Sequence, residues 1–294
     1  MPPTDNRAPR VAVLGTGAIG APVARHLAAA GFAPRVWNRT AAKAEALRGG
    51  GIEPVATPAD AVAGADVVVT VLKDGPTVLE TLRAAAPALR PGTVWVQHST
   101  VGDRIEDLAG FAREHGLVLV DAPVQGTREP AERGELVVLA AGPEDVRPLV
   151  QPLFDAIGQR TVWVGADGES GEASRLKLVL NTWVLALTQG VGEALALARG
   201  LGVDPAVFRD VVAGGPMDSG YFRAKSAAIV SGDFTPSFTV DNARKDALLV
   251  LEAAGRSGVR MDTVEAAAER FRRASAQGHG GQDMAAGYFA SFEG

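Results

Sequence analysis

Six residues near the start of the chain, Gly15-Thr-Gly-Ala-Ile-Gly20, narrow the choice of folds more than any other stretch. Before them, Arg10 to Leu14 is a short apolar run, which reads as a buried strand. After them comes a helical pattern with Val23, Leu27 and Ala30 on its apolar side, ending at Gly31. Arg35 to Asn38 then reads as a second strand. Strand, glycine loop, helix and strand within one short segment make a βαβ unit. In that context the G-x-G-x-x-G spacing carries a mechanism. Gly15 allows the tight turn, Gly17 lets backbone approach a pyrophosphate, and Gly20 lets helix and strand pack closely. The anion rests on the helix N-terminus. Gly15, Thr16, Gly17, Ala18, Ile19 and Gly20 are therefore candidate dinucleotide-binding residues. A glycine turn in an α/β domain that binds nothing is the competing reading.

The second strand ends in Asn38-Arg39-Thr40. A site for NAD carries an acid here, hydrogen-bonded to the ribose 2′-hydroxyl. An amide, a guanidinium and a hydroxyl suit a 2′-phosphate instead. NADP(H) is the expected cofactor and NAD(H) the second choice, with a solvated surface arginine as the plain alternative for Arg39.

The alternation continues with strands at Asp66–Leu72, Thr93–Gln97, Leu117–Asp121, Leu136–Ala140 and Arg160–Val164, and helical segments between most of them. This predicts a doubly wound, mostly parallel sheet of the Rossmann type. Ligands of such sheets bind at strand C-termini. That nominates Leu72, Lys73 and Asp74, then Ser99 and Thr100, then the loop from Ala122 to Gly134. His98 reads as packed rather than catalytic.

Gly168 to Gly200 reads as one long interdomain helix, with Glu169 and Glu172 suiting its N-terminus. Its apolar residues lie on nearly all sides, which predicts burial all round, covered by both domains. Lys177, Asn181 and Glu193 interrupt the apolar run that a membrane span would need. Lys177 and Asn181 stand one turn apart on one face. A lysine there must find a partner, reach a cleft or lose its charge, unless it simply snorkels to water. Beyond Gly200 the strand pattern vanishes and helices follow. Asp204-Pro205 caps the first of them. The expected organisation is α/β: a Rossmann domain over 1–167, with a disordered tail at 1–9, then the long helix and an all-α C-terminal domain over 168–294.

Composition removes several classes of function. A net charge of -5 argues against a general nucleic-acid binder. The absence of cysteine excludes disulfides, thiol catalysis and cysteine metal sites, and four scattered histidines make no metal site. With no apolar core of a signal peptide in the opening residues, the expected location is the cytoplasm, with no membrane partner.

Four features occur in order: the glycine loop, the run Asp121-Ala-Pro-Val-Gln-Gly-Thr127, the pair Lys177 and Asn181, and Lys245-Asp246. Together they resemble the β-hydroxyacid dehydrogenase family, from about Val11 to Ala286. Val36–Thr40 and Glu129-Pro130-Ala131 look most like its glyoxylate/succinic semialdehyde reductase branch. The resemblance implies that Lys177 is the catalytic lysine and Asn181 its partner. It places Thr100 and Lys245 at the cofactor, and Gln125, Gly126 and Thr127 at the substrate carboxylate. Two departures concern the substrate. Gln125 replaces a serine, and Asp241-Asn242 stands where a basic residue is common, so Asp241 joins the substrate-binding candidates. The implied reaction interconverts a small semialdehyde or keto acid and its hydroxy acid by hydride transfer, with no metal, in a homodimer or tetramer. Imine reductases share the fold and cofactor but commonly lack lysine at this position. A non-catalytic NADPH-binding module is the third reading.

Overall fold

The computed structural model describes residues 8–292, so residues 1–7 of the expected tail lie outside it. The first unit, 1–177, is built on one nine-stranded sheet. Its elements run β1 (Val11–Leu14), α1 (Gly20–Ala29), β2 (Arg35–Trp37), α2 (Ala41–Glu45), β3 (Glu53–Pro54), α3 (Pro58–Val62), β4 (Val67–Thr70), α4 (Gly75–Ala85), β5 (Val94–Gln97), α5 (Ile105–Glu114), β6 (Val118–Asp121), β7 (Val124–Gln125), α6 (Arg128–Glu132), β8 (Leu136–Ala141), α7 (Arg147–Ile157) and β9 (Gly158–Gly165). The order is β3-β2-β1-β4-β5-β6-β8-β7, with β9 also on β8.

The strands are apolar on both faces because helices cover both faces. Val11 and Val13 of β1 enter one core with Val67, Val69 and Phe154. Ala12 and Leu14 enter the other with Val68, Trp95 and Leu119. Pairing is parallel except where β8 meets β6 and β7. Leu14, Thr70, Gln97 and Asp121 stand in register across four adjacent strands. The loops after β1, β4, β5 and β6 therefore leave the same edge of the sheet. Two small corrections arise here. Ala30 is exposed, and the buried side of α1 runs through Val23, Ala24 and Leu27. Each of β3 and β7 is two residues long and escapes a periodicity test.

The long helix, α8, spans Glu172–Leu201. Glu169 falls outside it and pairs with Arg113 instead. Burial all round is not what the helix shows. Its buried stripe runs through Ser174, Lys177, Leu178, Asn181, Leu185, Thr188, Gln189 and Leu195, while Val179 is 66% and Trp183 64% exposed. Apolar character does not by itself bury a side chain. A helix that is apolar on every side offers more surface than its neighbours cover, and the buried face is the one whose polar groups find partners. By length and composition alone α8 meets the test for a membrane span, despite its three interruptions. Its lysine and asparagine, however, are held by protein groups described below.

The second unit, 178–294, contains the rest of α8, then α9 (Pro205–Val212), α10 (Gly220–Ser231), α11 (Val240–Arg256), α12 (Asp262–Ala274) and a 3-10 segment over Met284–Ser291. Asp204 caps α9 as expected, accepting from Ala206 N–H. Leu185, Val250, Val264, Phe271 and Met284 share the core. Among the described residues, no strand follows Gly165.

Candidate active site

At the first βα turn the three glycines divide into two kinds. Gly15 has φ +106°, and a Cβ there would lie 2.2 Å from Val71 O. A Cβ at Gly20 would lie 2.0 Å from Gly15 O. Both glycines are needed to close the turn. A Cβ at Gly17 would meet nothing within 4 Å. Beside it, α1 has Ile19 at its N-cap position, with no side-chain cap and no acid in its first turn. Thr16 Oγ1 is buried with no hydrogen-bond partner. An uncapped helix start, a bare glycine and an orphaned hydroxyl fit a pyrophosphate. Thr16 N–H donates to Asn38 Oδ1 at 3.1 Å, and Asn38 Nδ2 donates to Thr40 O at 3.1 Å. Asn38 thus ties the glycine loop to the end of β2, a role its sequence position did not reveal. Arg39 and Thr40 are exposed beside it.

The β4 loop is held from β5. Leu72 N–H donates to Ser99 Oγ at 2.8 Å. Ser99 N–H donates to Gln97 Oε1, and Gln97 Nε2 donates to Ser99 O. Lys73 is exposed. Asp74 caps α4 by accepting from Thr77 N–H at 3.0 Å. Thr100 follows on the β5 loop, half-buried. His98 is buried and bonded to Ala122 O, and burial pushes its imidazole down to about 4, so it is neutral at pH 7.

Asp121 ends β6 and is fully buried. It accepts from Ser174 N–H at 2.8 Å and from Ser174 Oγ at 3.0 Å. Loss of solvent pushes its carboxyl up to about 7 against those bonds. Four residues on, Gln125 Oε1 accepts from Lys177 Nζ at 3.0 Å. Gly126 has φ +130°, which keeps the turn to Thr127 a glycine position. The first unit thus brings Lys177 together with Gln125, the residue at which the family resemblance departs.

In the second unit, Asn181 Nδ2 donates to Asp246 Oδ2 at 2.9 Å, both groups buried. Lys245 Nζ lies 2.6 Å from Asp246 Oδ1, but that oxygen has no aligned hydrogen bond, so the contact is an ion pair only. Asn181, Asp246 and Lys245 form one cluster. Asp241 is outside those contacts: it is exposed on the first turn of α11 and accepts from Ser275 Oγ at 2.7 Å. Asp246, Ser174 and Asp121 were not singled out as site residues from sequence. A run of buried polar residues at helical spacing, 174, 177 and 181, was the signal available.

Two family models cover nearly all of the chain. The NAD binding domain of 6-phosphogluconate dehydrogenase matches residues 10–165, and the NAD-binding domain of NADP-dependent 3-hydroxyisobutyrate dehydrogenase matches 171–289. The chain belongs to the β-hydroxyacid dehydrogenase family. L-threonate dehydrogenase of Cupriavidus necator is 31% identical over 94% of this chain and 94% of its own. Glyoxylate/succinic semialdehyde reductase 1 of Arabidopsis thaliana is 28% identical over 94% of this chain and 96% of its own. The crystal structure of 3-hydroxyisobutyrate dehydrogenase from Salmonella typhimurium superposes with a TM-score of 0.86 at 25% identity, covering 95% of this chain and 98% of that one. As a β-hydroxyacid dehydrogenase, the chain is an NAD(P)-dependent oxidoreductase acting on CH–OH groups.

Proposed function

We propose that this chain is an NADP(H)-dependent enzyme that interconverts a small semialdehyde or keto acid and its hydroxy acid. The observation that carries this reading is Lys177: it is buried, and its ammonium donates to a neutral carboxamide on β7. When bound, NADP(H) would supply or accept the hydride at the carbonyl carbon. Lys177 Nζ gives its proton to the carbonyl oxygen as negative charge develops there, and recovers it when the alcohol is oxidised. Gln125 Oε1 holds Nζ in place between turnovers. The Thr127 hydroxyl and the backbone around Gly126 bind the substrate carboxylate. Asn181, fixed by Asp246, positions the next turn of the same helix face.

Gly15 to Gly20 would hold the pyrophosphate. Arg39 and Thr40 would hold the 2′-phosphate, since no acid stands at the end of β2 to repel it. Leu72, Lys73, Asp74, Thr100 and Lys245 would complete the cofactor contacts. The exposed Val179, Trp183, Leu197 and Leu201 support a homo-oligomer, which sedimentation of the purified chain tests. The functional test is NADPH consumption against short semialdehydes, keto acids, cyclic imines and ketone–amine mixtures. Carbonyl acids should be turned over. Turnover confined to imines, or binding of NADPH with no turnover, overturns the reading.

A further inference from the structure

Two contacts join the same two segments in the same order. Asp121 and Gln125 lie four residues apart on the strand end and its loop, and Ser174 and Lys177 lie three apart on α8. Asp121 meets Ser174 through two hydrogen bonds, and Gln125 meets Lys177 through one. They form a ladder of two rungs. The first rung is fully buried, with Asp121 and Ser174 at 0% and 3% exposure. Ser174 N–H belongs to the first turn of α8, where backbone donors have no partner inside the helix. A local serine or aspartate caps such a turn at little cost. Here the acceptor comes instead from 53 residues away and is a carboxylate taken wholly out of water. That is an expensive way to cap a helix, and it fixes something a local cap does not: the rotation of α8 about its axis relative to β6. Ser174 and Lys177 are neighbours on one helix face. Whatever holds Ser174 therefore sets the reach of Lys177.

We infer that Asp121 is a positioning residue for the reaction, holding α8 through Ser174 so that Lys177 Nζ is aimed at Gln125 of β7. The inference rests on Lys177 being the proton donor. The groups facing the Asp121 carboxylate are Ser174 and, at longer range, Arg175 from α8, together with Gln97 from β5. Arg175 is the charge among them. Because the buried carboxyl titrates near 7, the rung weakens as the medium is acidified below neutrality. In the reduction direction acid does not disable a lysine donor. A fall of kcat below about pH 7 is thus the signature of Asp121.

The test uses D121N, S174A, S174T and K177A, with D121N also placed in the K177A background. D121N should lower kcat for carbonyl reduction by about 10- to 100-fold, the scale of a small misplacement of a catalytic group. Its NADPH affinity should stay within about twofold of wild type, a difference of about 0.4 kcal/mol, and its melting temperature at pH 8 should be equal or higher. Its kcat should lose the acid limb, and D121N should add nothing to the loss caused by K177A. S174A should slow turnover less than D121N, and S174T should restore it, which keeps the test usable if D121N does not fold. A D121N enzyme with wild-type kcat, a retained acid limb, or a loss that multiplies in full with that of K177A overturns the inference. A fast K177A enzyme overturns the reading of Lys177 itself, and is a separate result.

Discussion

Lys177 Nζ and Gln125 Oε1 lie 3.0 Å apart, a buried ammonium on a helix facing a neutral amide on β7, 52 residues earlier. A carboxylate in that place would compete with substrate for the proton. A neutral acceptor holds the lysine without taking its proton, which suits the proton donor proposed for Lys177.

Replacing Lys177 with alanine should lower kcat by roughly 10²–10⁴-fold, the usual worth of a general acid. NADPH affinity should change little. Steady-state kinetics together with a cofactor titration check both, and turnover near the wild-type rate would remove Lys177 from the mechanism.

Gln125→Ser shortens the acceptor and releases Lys177 from its bond. Turnover of every substrate should shift, but kcat/KM for small carboxylate-bearing aldehydes should rise relative to longer or uncharged carbonyls. The ratio across a substrate panel is the measurement. A panel that scales uniformly would mean that Gln125 serves only the lysine.

Arg39 can donate charge-assisted hydrogen bonds to a 2′-phosphate, worth about 1.5–3 kcal/mol. NADPH should then bind about 10- to 100-fold more tightly than NADH. Arg39→Ala should erase most of that ratio while leaving NADH affinity unchanged. Paired titrations decide it, and equal affinities in the wild type would make Arg39 a surface side chain. Asn38 is a poorer choice for this test, because its carboxamide also supports the glycine loop.

Asp121 and His98 pull the pH dependence of stability in opposite directions. His98 is lowered from 6.5 to about 4, so the unfolded chain binds its proton first and stability is lost as pH falls through that window. Asp121 is raised from 3.8 to about 7, so the folded chain keeps the proton and stability is lost as pH rises through that window. Between about 4 and 6.5 the two slopes oppose. Asp121→Asn should expose the His98 slope, and His98→Gln the Asp121 slope. Urea midpoints from pH 4 to 8 would show this, and parallel curves for all three proteins would exclude it.

Much of this arrangement could be read from local pattern. The apolar runs at β1, β4, β5 and β6 are each continuous and bounded by glycine or polar turns, and each became a strand within a residue or two. Asp204-Pro205 marks a helix start because the aspartate side chain satisfies a donor two positions away. What stayed hidden is non-local. Nothing near Asp121 says that its partner is Ser174, and nothing near Asn38 says that it holds Thr16. The buried face of α8 departs from the apolar pattern for a related reason. Hydrophobic periodicity assigns the inside to apolar residues, whereas here Ser174, Lys177 and Asn181 are inside because partners wait there, and Val179 and Trp183 are left out.

The two kinds of glycine in the first turn bear on how such a chain would diverge. Gly15 and Gly20 answer to the fold: any copy that folds this way must keep them, whether or not it binds a nucleotide. Gly17 is under no such constraint, since a side chain there meets open space, and the proposed pyrophosphate contact alone would hold it. In a duplicated copy released from nucleotide binding, position 17 would be free to drift long before its two neighbours. The residue found there would therefore separate descendants that still use the cofactor from those that have kept only its scaffold.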